Sequence, residues 1–179
     1  MELFIPERIR KEGTMAKVII LCGRIASGKS YYANKLKEQN KAVILSVDEL
    51  MLRLSDSCLG QQHDDTARRC EAYFYQLAEQ MIGSGINVII DYGYWSKKDR
   101  QDAKDYFRKK GMEAELHYLH IPEELRLKQL ENRNERLIAE SKKKDTGRVY
   151  IIDELLRQRL DAKFEEPSPE EVDELITNT

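Results

Sequence analysis

One short stretch predicts the architecture of this chain: Gly23-Arg24-Ile25-Ala26-Ser27-Gly28-Lys29-Ser30. It matches the phosphate-binding loop pattern, in which a glycine and any four residues precede Gly-Lys-Ser/Thr. The run from Val18 to Cys22 is apolar enough for a buried strand, and Tyr31 to Gln39 reads as a helix. The motif requires a strand before it and a helix after it, so both flanks support the match.

Such a loop binds phosphate oxygens through successive backbone N–H groups and the positive end of the following helix. Lys29 would reach the outer phosphates, and the Ser30 hydroxyl would bind Mg²⁺. A glycine-containing strand-to-helix turn could match by chance, but the two flanks make that the weaker interpretation. We therefore predict a nucleotide site formed by Gly23, Arg24, Ile25, Ala26, Ser27, Gly28, Lys29, Ser30 and Tyr31.

Composition places the chain among soluble proteins with one substantial core. It has 179 residues, of which 41% are hydrophobic and 35% charged, and a formal net charge of −2. A charge this close to zero gives no general attraction to nucleic acid or anionic membrane. No apolar run approaches the roughly 20 residues of a membrane span. The first residues lack the pattern of a secretory signal, and three scattered cysteines suit a reducing compartment. We expect a cytoplasmic protein that does not enter membranes.

Two further apolar runs end on an aspartate. Ala42 to Val47 precedes Asp48, and Asn87 to Ile90 precedes Asp91. In open parallel sheets, ligands collect at the carboxyl ends of strands, so both carboxylates should lie near the phosphates. A fourth strand is predicted at residues 113–121. Strands that alternate with long helical crossovers predict a three-layer α/β/α fold with a mainly parallel sheet.

The remaining segments are predicted as helices and extensions. Periodicity favours a helix from Thr66 to Ile82 with Tyr73 and Phe74 in the core, and another over residues 150–164 with Leu155 inside. Ser168 followed by Pro169 predicts a short final helix. Residues 1–14 are interpreted as an extension, and residues 15–179 as a single domain.

The helix that follows the fourth strand carries Arg126, Arg133 and Arg136 among acidic residues. By composition alone, alternating charge favours a solvated helix. Small kinases with a phosphate loop need arginines on a mobile lid to neutralise the γ-phosphate and exclude water. The position of these arginines predicts a helical lid over about residues 126–147, as in adenylate kinase.

Several absences favour phosphoryl transfer from ATP. The chain has no Asn-Lys-x-Asp segment for guanine, so ATP is favoured over GTP. Strands of many hydrolytic ATPases end in Asp-Glu, where the second acid polarises water, whereas Tyr92 follows Asp91 here. A kinase also needs a carboxylate near the acceptor hydroxyl, and Asp48 and Asp91 are the candidates.

Taken in order, the motifs resemble one family. They are Gly23 to Ser30, Ser46-Val47-Asp48, Val88 to Asp91 with Arg100 downstream, and Arg133-Asn134-Glu135-Arg136. They are similar to phosphate-loop kinases grouped around the phage polynucleotide 5′-kinase, zeta-toxin kinases and chloramphenicol phosphotransferase, and to small predicted AAA-type kinases. The resemblance covers residues 16 to about 171.

The resemblance implies a role for each motif. Asp48 would be the general base; the alternative is that it starts a helix as a capping acid. Asp91 would orient Mg²⁺ or hold the acceptor, or else cap a loop. Arg100 would bind substrate, unless it is an ordinary exposed helix arginine. Catalysis would rest on Lys29, Asp48, Arg133 and Arg136, with ATP and Mg²⁺ as cofactors and Ser30 and Asp91 at the metal.

The acceptor is predicted only as a class. A small molecule with a hydroxyl group is favoured, such as a nucleoside, sugar, nucleotide-sugar or antibiotic. A polynucleotide 5′-hydroxyl is the alternative within the enzyme class. It is less favoured because the arginine that lies three residues past the catalytic aspartate in the polynucleotide kinase is Met51 here. An ATP-binding regulatory module or a simple ATPase is the alternative from another class, and the oligomeric state is left open.

Overall fold

The computed structural model describes residues 15–54, 62–144 and 151–177, without the side chains of residues 140–144. Residues 1–14, predicted as an extension, lie outside this part. The described elements are, in chain order, β1 Lys17–Cys22, α1 Lys29–Asn40, β2 Ala42–Ser46, α2 Val47–Leu54, α3 His63–Gly83, β3 Asn87–Asp91, α4 Lys97–Arg108, β4 Glu113–His120, α5 Glu123–Lys144, α6 Glu154–Ala162 and β5 Glu174–Thr177.

The five strands form one sheet in the order β2-β3-β1-β4-β5, and every pair is parallel. Asp91 at the end of β3 pairs with Leu21 of β1 on one side and with Ser46 of β2 on the other. The register therefore aligns the carboxyl ends of the three strands that carry the phosphate loop, Asp91 and the segment leading to Asp48. The predicted parallel α/β sheet is confirmed.

Helices cover both faces of the sheet, which makes three layers. Val18 and Ile20 of β1 pack with side chains of α3 and α4, such as Phe74 and Phe107. Ile19 and its neighbour Leu21 point to the other face and pack with α1. A strand buried on both faces has no polar side, which is why β1 is apolar throughout.

The C-terminal segment contains a strand where the sequence predicts a short helix, and that prediction was wrong. Ser168 does begin one turn, in which the backbone N–H of Glu171 donates to the Ser168 carbonyl at 3.0 Å. The chain then straightens, because the Asp173 carboxylate accepts from the backbone N–H of Leu116 at 2.7 Å. Residues 174–177 pair with β4 and bury Ile176, so the sheet has five strands rather than four.

Two helices present different residues to the core than periodicity predicted. In α3, Tyr73 is 58% exposed, whereas Tyr75 is buried; the prediction for Phe74 is confirmed. In α6, Leu155 is 59% exposed. Tyr73 lies next to buried Phe74, which explains the error in α3, whereas α6 buries none of its side chains fully and so has no residue in the core. Within the described residues, no helix is long and apolar enough to cross a membrane.

Candidate active site

The phosphate loop lies between β1 and α1, as predicted, and two of its residues have left-handed backbone. Gly28 has φ 93°, a conformation that only glycine adopts without strain, and Ala26 has φ 60°. Gly23 is required by space: a Cβ atom there would lie 2.6 Å from Ser27 Oγ and 2.9 Å from the Leu119 carbonyl oxygen. The glycines of the motif thus allow a tight turn that a chain with side chains at these positions could not make.

Some side chains of the loop are buried, and others reach the surface. Ser27 is completely buried, whereas Tyr31 at the start of α1 is 44% exposed. Lys29 Nζ donates to the Gly23 carbonyl at 2.9 Å and to the Arg24 carbonyl at 3.1 Å. The ammonium group therefore lies against the first half of the loop, within the set of residues predicted to bind phosphate.

Ser30 and Asp91 meet although 61 residues separate them in the sequence. Ser30 Oγ donates to Asp91 Oδ2 at 2.9 Å, and Asp91 is buried at the end of β3. A hydroxyl and a carboxylate oxygen side by side are donors that suit Mg²⁺, which is commonly held by one or two protein oxygens together with substrate phosphates. The pair fits the predicted metal site.

Asp48 lies in the first turn of α2 and not at the end of a strand. The capping role that could have explained this residue belongs to Ser46, whose Oγ accepts from the backbone N–H of Glu49 at 3.3 Å. The helix begins at Val47, so it carries Asp48 beyond the edge of the sheet. The Asp48 carboxylate is therefore not needed to cap α2.

Charged groups from four elements surround Asp48. Lys29 and Arg133 favour its ionised form, as does His63, whereas Asp91 disfavours it. The pKa of Asp48 is nevertheless raised, because surrounding protein displaces water from a carboxylate that still has an exposed surface. His63 had no predicted role, since it follows the stretch of sequence that is hardest to interpret.

The predicted lid arginines lie on α5, which continues to Lys144; residues 145–147 of the predicted lid lie outside the described part. Arg133 is half-buried and Arg136 exposed. Between them, Asn134 Nδ2 donates to the Ile152 carbonyl at 2.9 Å, and Asn134 Oδ1 accepts from the Ile152 N–H at 3.3 Å. The amide thus binds the chain that leads into α6, and the arginines flank this contact.

Arg100 has a different environment from the one its predicted role requires. Its side chain is 1% exposed, and Nε donates to Glu171 at 2.9 Å. Nη1 donates to the backbone carbonyls of Trp95 at 3.2 Å and Glu165 at 2.9 Å. These contacts join α4 to the segment before β5 and favour a structural role over substrate binding.

The aromatic residues after Asp91 are partly core. Tyr94 is buried, and its hydroxyl lies 3.0 Å from the hydroxyl of Tyr75, which donates to Glu71 at 2.7 Å. Tyr92 is half-buried, with its ring edge-to-face against Tyr94 at 5.7 Å. Packing therefore explains Tyr94, whereas Tyr92 keeps an exposed surface.

Solved structures, two of them of kinases, share this fold. Kti12 from Chaetomium thermophilum, in complex with ADP-AlF3, superposes with a TM-score of 0.63 at 16% identity, over 90% of this chain and 88% of that one. The APS kinase CysC of Mycobacterium tuberculosis, in complex with AMPPNP and APS, gives 0.61 at 17% identity, over 91% and 88%. A sugar kinase from Janibacter sp. HTCC2649 gives 0.61 at 12% identity, over 90% and 85%. At such identities the likeness concerns the fold alone.

Sequence comparison identifies the family. No curated protein sequence matches the chain. The model of the AAA domain family, however, matches residues 18–149. The matched region is well over half of the 179 residues and runs from β1 to beyond α5. It includes the phosphate loop, Asp48, Asp91 and the three arginines of the predicted lid. The chain therefore belongs to the AAA domain family and has the fold of a phosphate-loop kinase.

Proposed function

We propose that this protein is a kinase that transfers the γ-phosphate of ATP, with Mg²⁺, to a hydroxyl group of a small molecule. The observation that supports it most is the convergence of two halves of a transfer site. On one side are the phosphate loop and the Ser30–Asp91 pair, with an O–O distance of 2.9 Å. On the other is Asp48, whose charge interacts with that of Lys29, Asp91 and Arg133.

The donor half binds ATP through residues 23–31. Backbone N–H groups and the N-terminus of α1 hold the phosphates, and Lys29 neutralises charge on the outer ones. Ser30 and Asp91 would hold Mg²⁺, which when bound offsets the charge that develops on the phosphate oxygens. Gly28 and Gly23 let the backbone approach the phosphates closely.

The acceptor half rests on Asp48 as general base. Its carboxylate would take the proton of the acceptor hydroxyl as the oxygen attacks the γ-phosphorus. A raised pKa favours this role, because a more basic carboxylate accepts the proton more readily. Arg133 and Arg136 would stabilise charge on the transferring phosphoryl group from α5. Asp91 would serve the acceptor only if it does not serve the metal.

Two residues on α2 favour an acceptor without a phosphate group of its own. Met51, one helical turn beyond Asp48, is buried and uncharged. Arg53, a basic residue two positions further along α2, is on the surface, where its Nη2 donates to Glu49 at 2.7 Å. Helix α2 therefore places no arginine beside Asp48. A small neutral molecule with hydroxyl groups therefore suits this side of the site better than a polynucleotide end, and Arg100 is not assigned to the acceptor.

The test is incubation with ATP, Mg²⁺ and a panel of nucleosides, sugars, nucleotide-sugars, antibiotics and a 5′-hydroxyl oligonucleotide. Mass spectrometry would identify any compound that gains one phosphate. We expect a small-molecule product that is absent with Lys29→Ala. Phosphorylation of the oligonucleotide alone would favour the polynucleotide kinase. Steady ATP turnover that no compound changes would indicate an ATPase, and ATP binding without turnover a regulatory module.

A further inference from the structure

Arg126 is an arginine completely enclosed by protein, at 0% exposure, on the first turns of α5. Its guanidinium donates to the Glu123 carboxylate at 2.7 and 2.9 Å and to Asp161 Oδ2 on α6 at 2.7 Å. A buried cation is expensive to desolvate, and these two carboxylates offset the cost. Sequence alone placed Arg126 with the lid arginines, but its position separates it from them.

The third partner of Arg126 is the phosphate loop. Nη1 lies 3.4 Å from the backbone carbonyl oxygen of Ile25, which is the residue before Ala26. The carbonyl of Ile25 and the N–H of Ala26 belong to one planar trans peptide group, so they point in opposite directions. A donor that holds the carbonyl toward α5 therefore fixes the N–H of Ala26 on the opposite side.

The peptide group between Ile25 and Ala26 must keep one orientation if the loop is to bind phosphate. Ala26 has φ 60°, which costs a residue with a side chain about 1 kcal/mol or more. Backbone N–H groups of a loop bind phosphate only if they converge, and alternation between right- and left-handed residues produces that convergence. A peptide flip would remove one N–H from the set.

We propose that Arg126 is a positioning residue, which aims the N–H of Ala26 at the bound phosphates, and that Asp161 of α6 holds Arg126 for this purpose. Arg157 extends the contact within α6, because its Nη1 donates to Asp161 at 2.9 Å. Helix α6 thereby acts on nucleotide binding although it carries no phosphate-binding motif. The ligand-binding part of the inference rests on the proposed function; the orientation of the peptide group does not.

The test compares Arg126→Lys and Asp161→Asn with Arg159→Gln, which changes an exposed arginine on α6. Lysine keeps the charge but cannot donate to Asp161, Glu123 and Ile25 in one planar fork. We expect Arg126→Lys to bind ATP about tenfold more weakly, the effect of losing one hydrogen bond from a charged donor. Asp161→Asn, which is isosteric, should shift affinity in the same direction, and Arg159→Gln should bind as the unchanged protein does.

A second measurement separates positioning from general loss of structure. The amide resonance of Ala26 in ¹⁵N-labelled protein without ligand should move in Arg126→Lys and Asp161→Asn but not in Arg159→Gln. Unchanged ATP affinity in the folded variants, or an unmoved Ala26 resonance, would overturn the inference. Failure of the unchanged protein to bind ATP would instead contradict the proposed function, and the resonance would still test the orientation of the peptide group.

Discussion

Replacement of Asp48 by asparagine should abolish most phosphoryl transfer while ATP binding persists. The substitution keeps the size of the side chain and removes its ability to take a proton. General base catalysis contributes about 10²–10⁴-fold, so we expect kcat to fall by that factor, or about 3–5 kcal/mol in activation free energy. Affinity for ATP should change much less, because the phosphate loop and the Ser30–Asp91 pair are untouched.

The assay is steady-state transfer to the acceptor found in the panel, with ATP affinity measured separately by calorimetry. Glu49→Gln is the matched control, since Glu49 is the next residue of α2 and pairs with Arg53 on the surface. We expect the control to keep its rate within about twofold, because an exposed ion pair contributes about 0–1 kcal/mol. A rate for Asp48→Asn within a few-fold of the unchanged protein would refute the assignment of Asp48 as base.

The raised pKa of Asp48 gives the same variant a second signature. The carboxylate accepts a proton only when ionised, so kcat should fall as pH decreases through a pKa above the ordinary 3.8. The residual activity of Asp48→Asn should lack this acidic limb. The effect of pH on stability has the opposite sign. Because the pKa of Asp48 is raised, folding favours its protonated form, and this contribution to the free energy of unfolding is lost as pH rises through the folded pKa. At pH 7 the neutral asparagine should therefore preserve or raise Tm.

Three further substitutions test the fold and other parts of the site. Arg100→Ala should destabilise the fold by about 3–5 kcal/mol, because it leaves the Glu171 carboxylate without its buried partner; a loss below about 1 kcal/mol in urea unfolding would contradict this. Gly23→Ala should abolish ATP binding in a calorimetric titration, because the added Cβ would lie 2.9 Å from the Leu119 carbonyl oxygen; wild-type affinity would show that the loop can relax. Arg133→Ala should lower kcat by about 10²-fold or more, as for charge-stabilising groups in other transfer sites. The same assays should show a smaller effect on ATP affinity. An effect on affinity alone would place Arg133 at ATP and not at the transferring phosphoryl group.

Much of the donor side could be predicted from short-range patterns. A loop of this type binds phosphate through its own backbone, so its signature lies in residues adjacent in sequence, and the glycine positions reveal it. Strands β1 to β3 were also predicted, because a buried parallel strand is continuously apolar. Strand β4 was predicted from the alternation of its side chains. Asp91 followed from the rule that ligands gather at the carboxyl ends of such strands, and its contact with Ser30 agrees with that rule.

Strand β5 and the two buried arginines could not be predicted in this way. Residues 174–177 bury one large side chain, Ile176, so they carry little strand signal. Arg100 and Arg126 look like exposed helix residues, since nothing nearby in sequence shows that Glu171 and Asp161 will meet them. An arginine is buried only where distant carboxylates offset its desolvation, and those partners are supplied by the fold.

The sequence by itself determined the phosphate loop, the parallel α/β sheet and the candidate carboxylates, because each depends on periodicity or on a contiguous motif. Tertiary structure alone decided that Arg100 lies in the interior and that Arg126 contacts the loop. Each of these outcomes depends on which charged or polar group arrives from a remote segment. Short-range interactions specify the strands, the helices and the phosphate loop. The assembled fold decides how buried charges pair, and this pairing assigns roles to individual side chains.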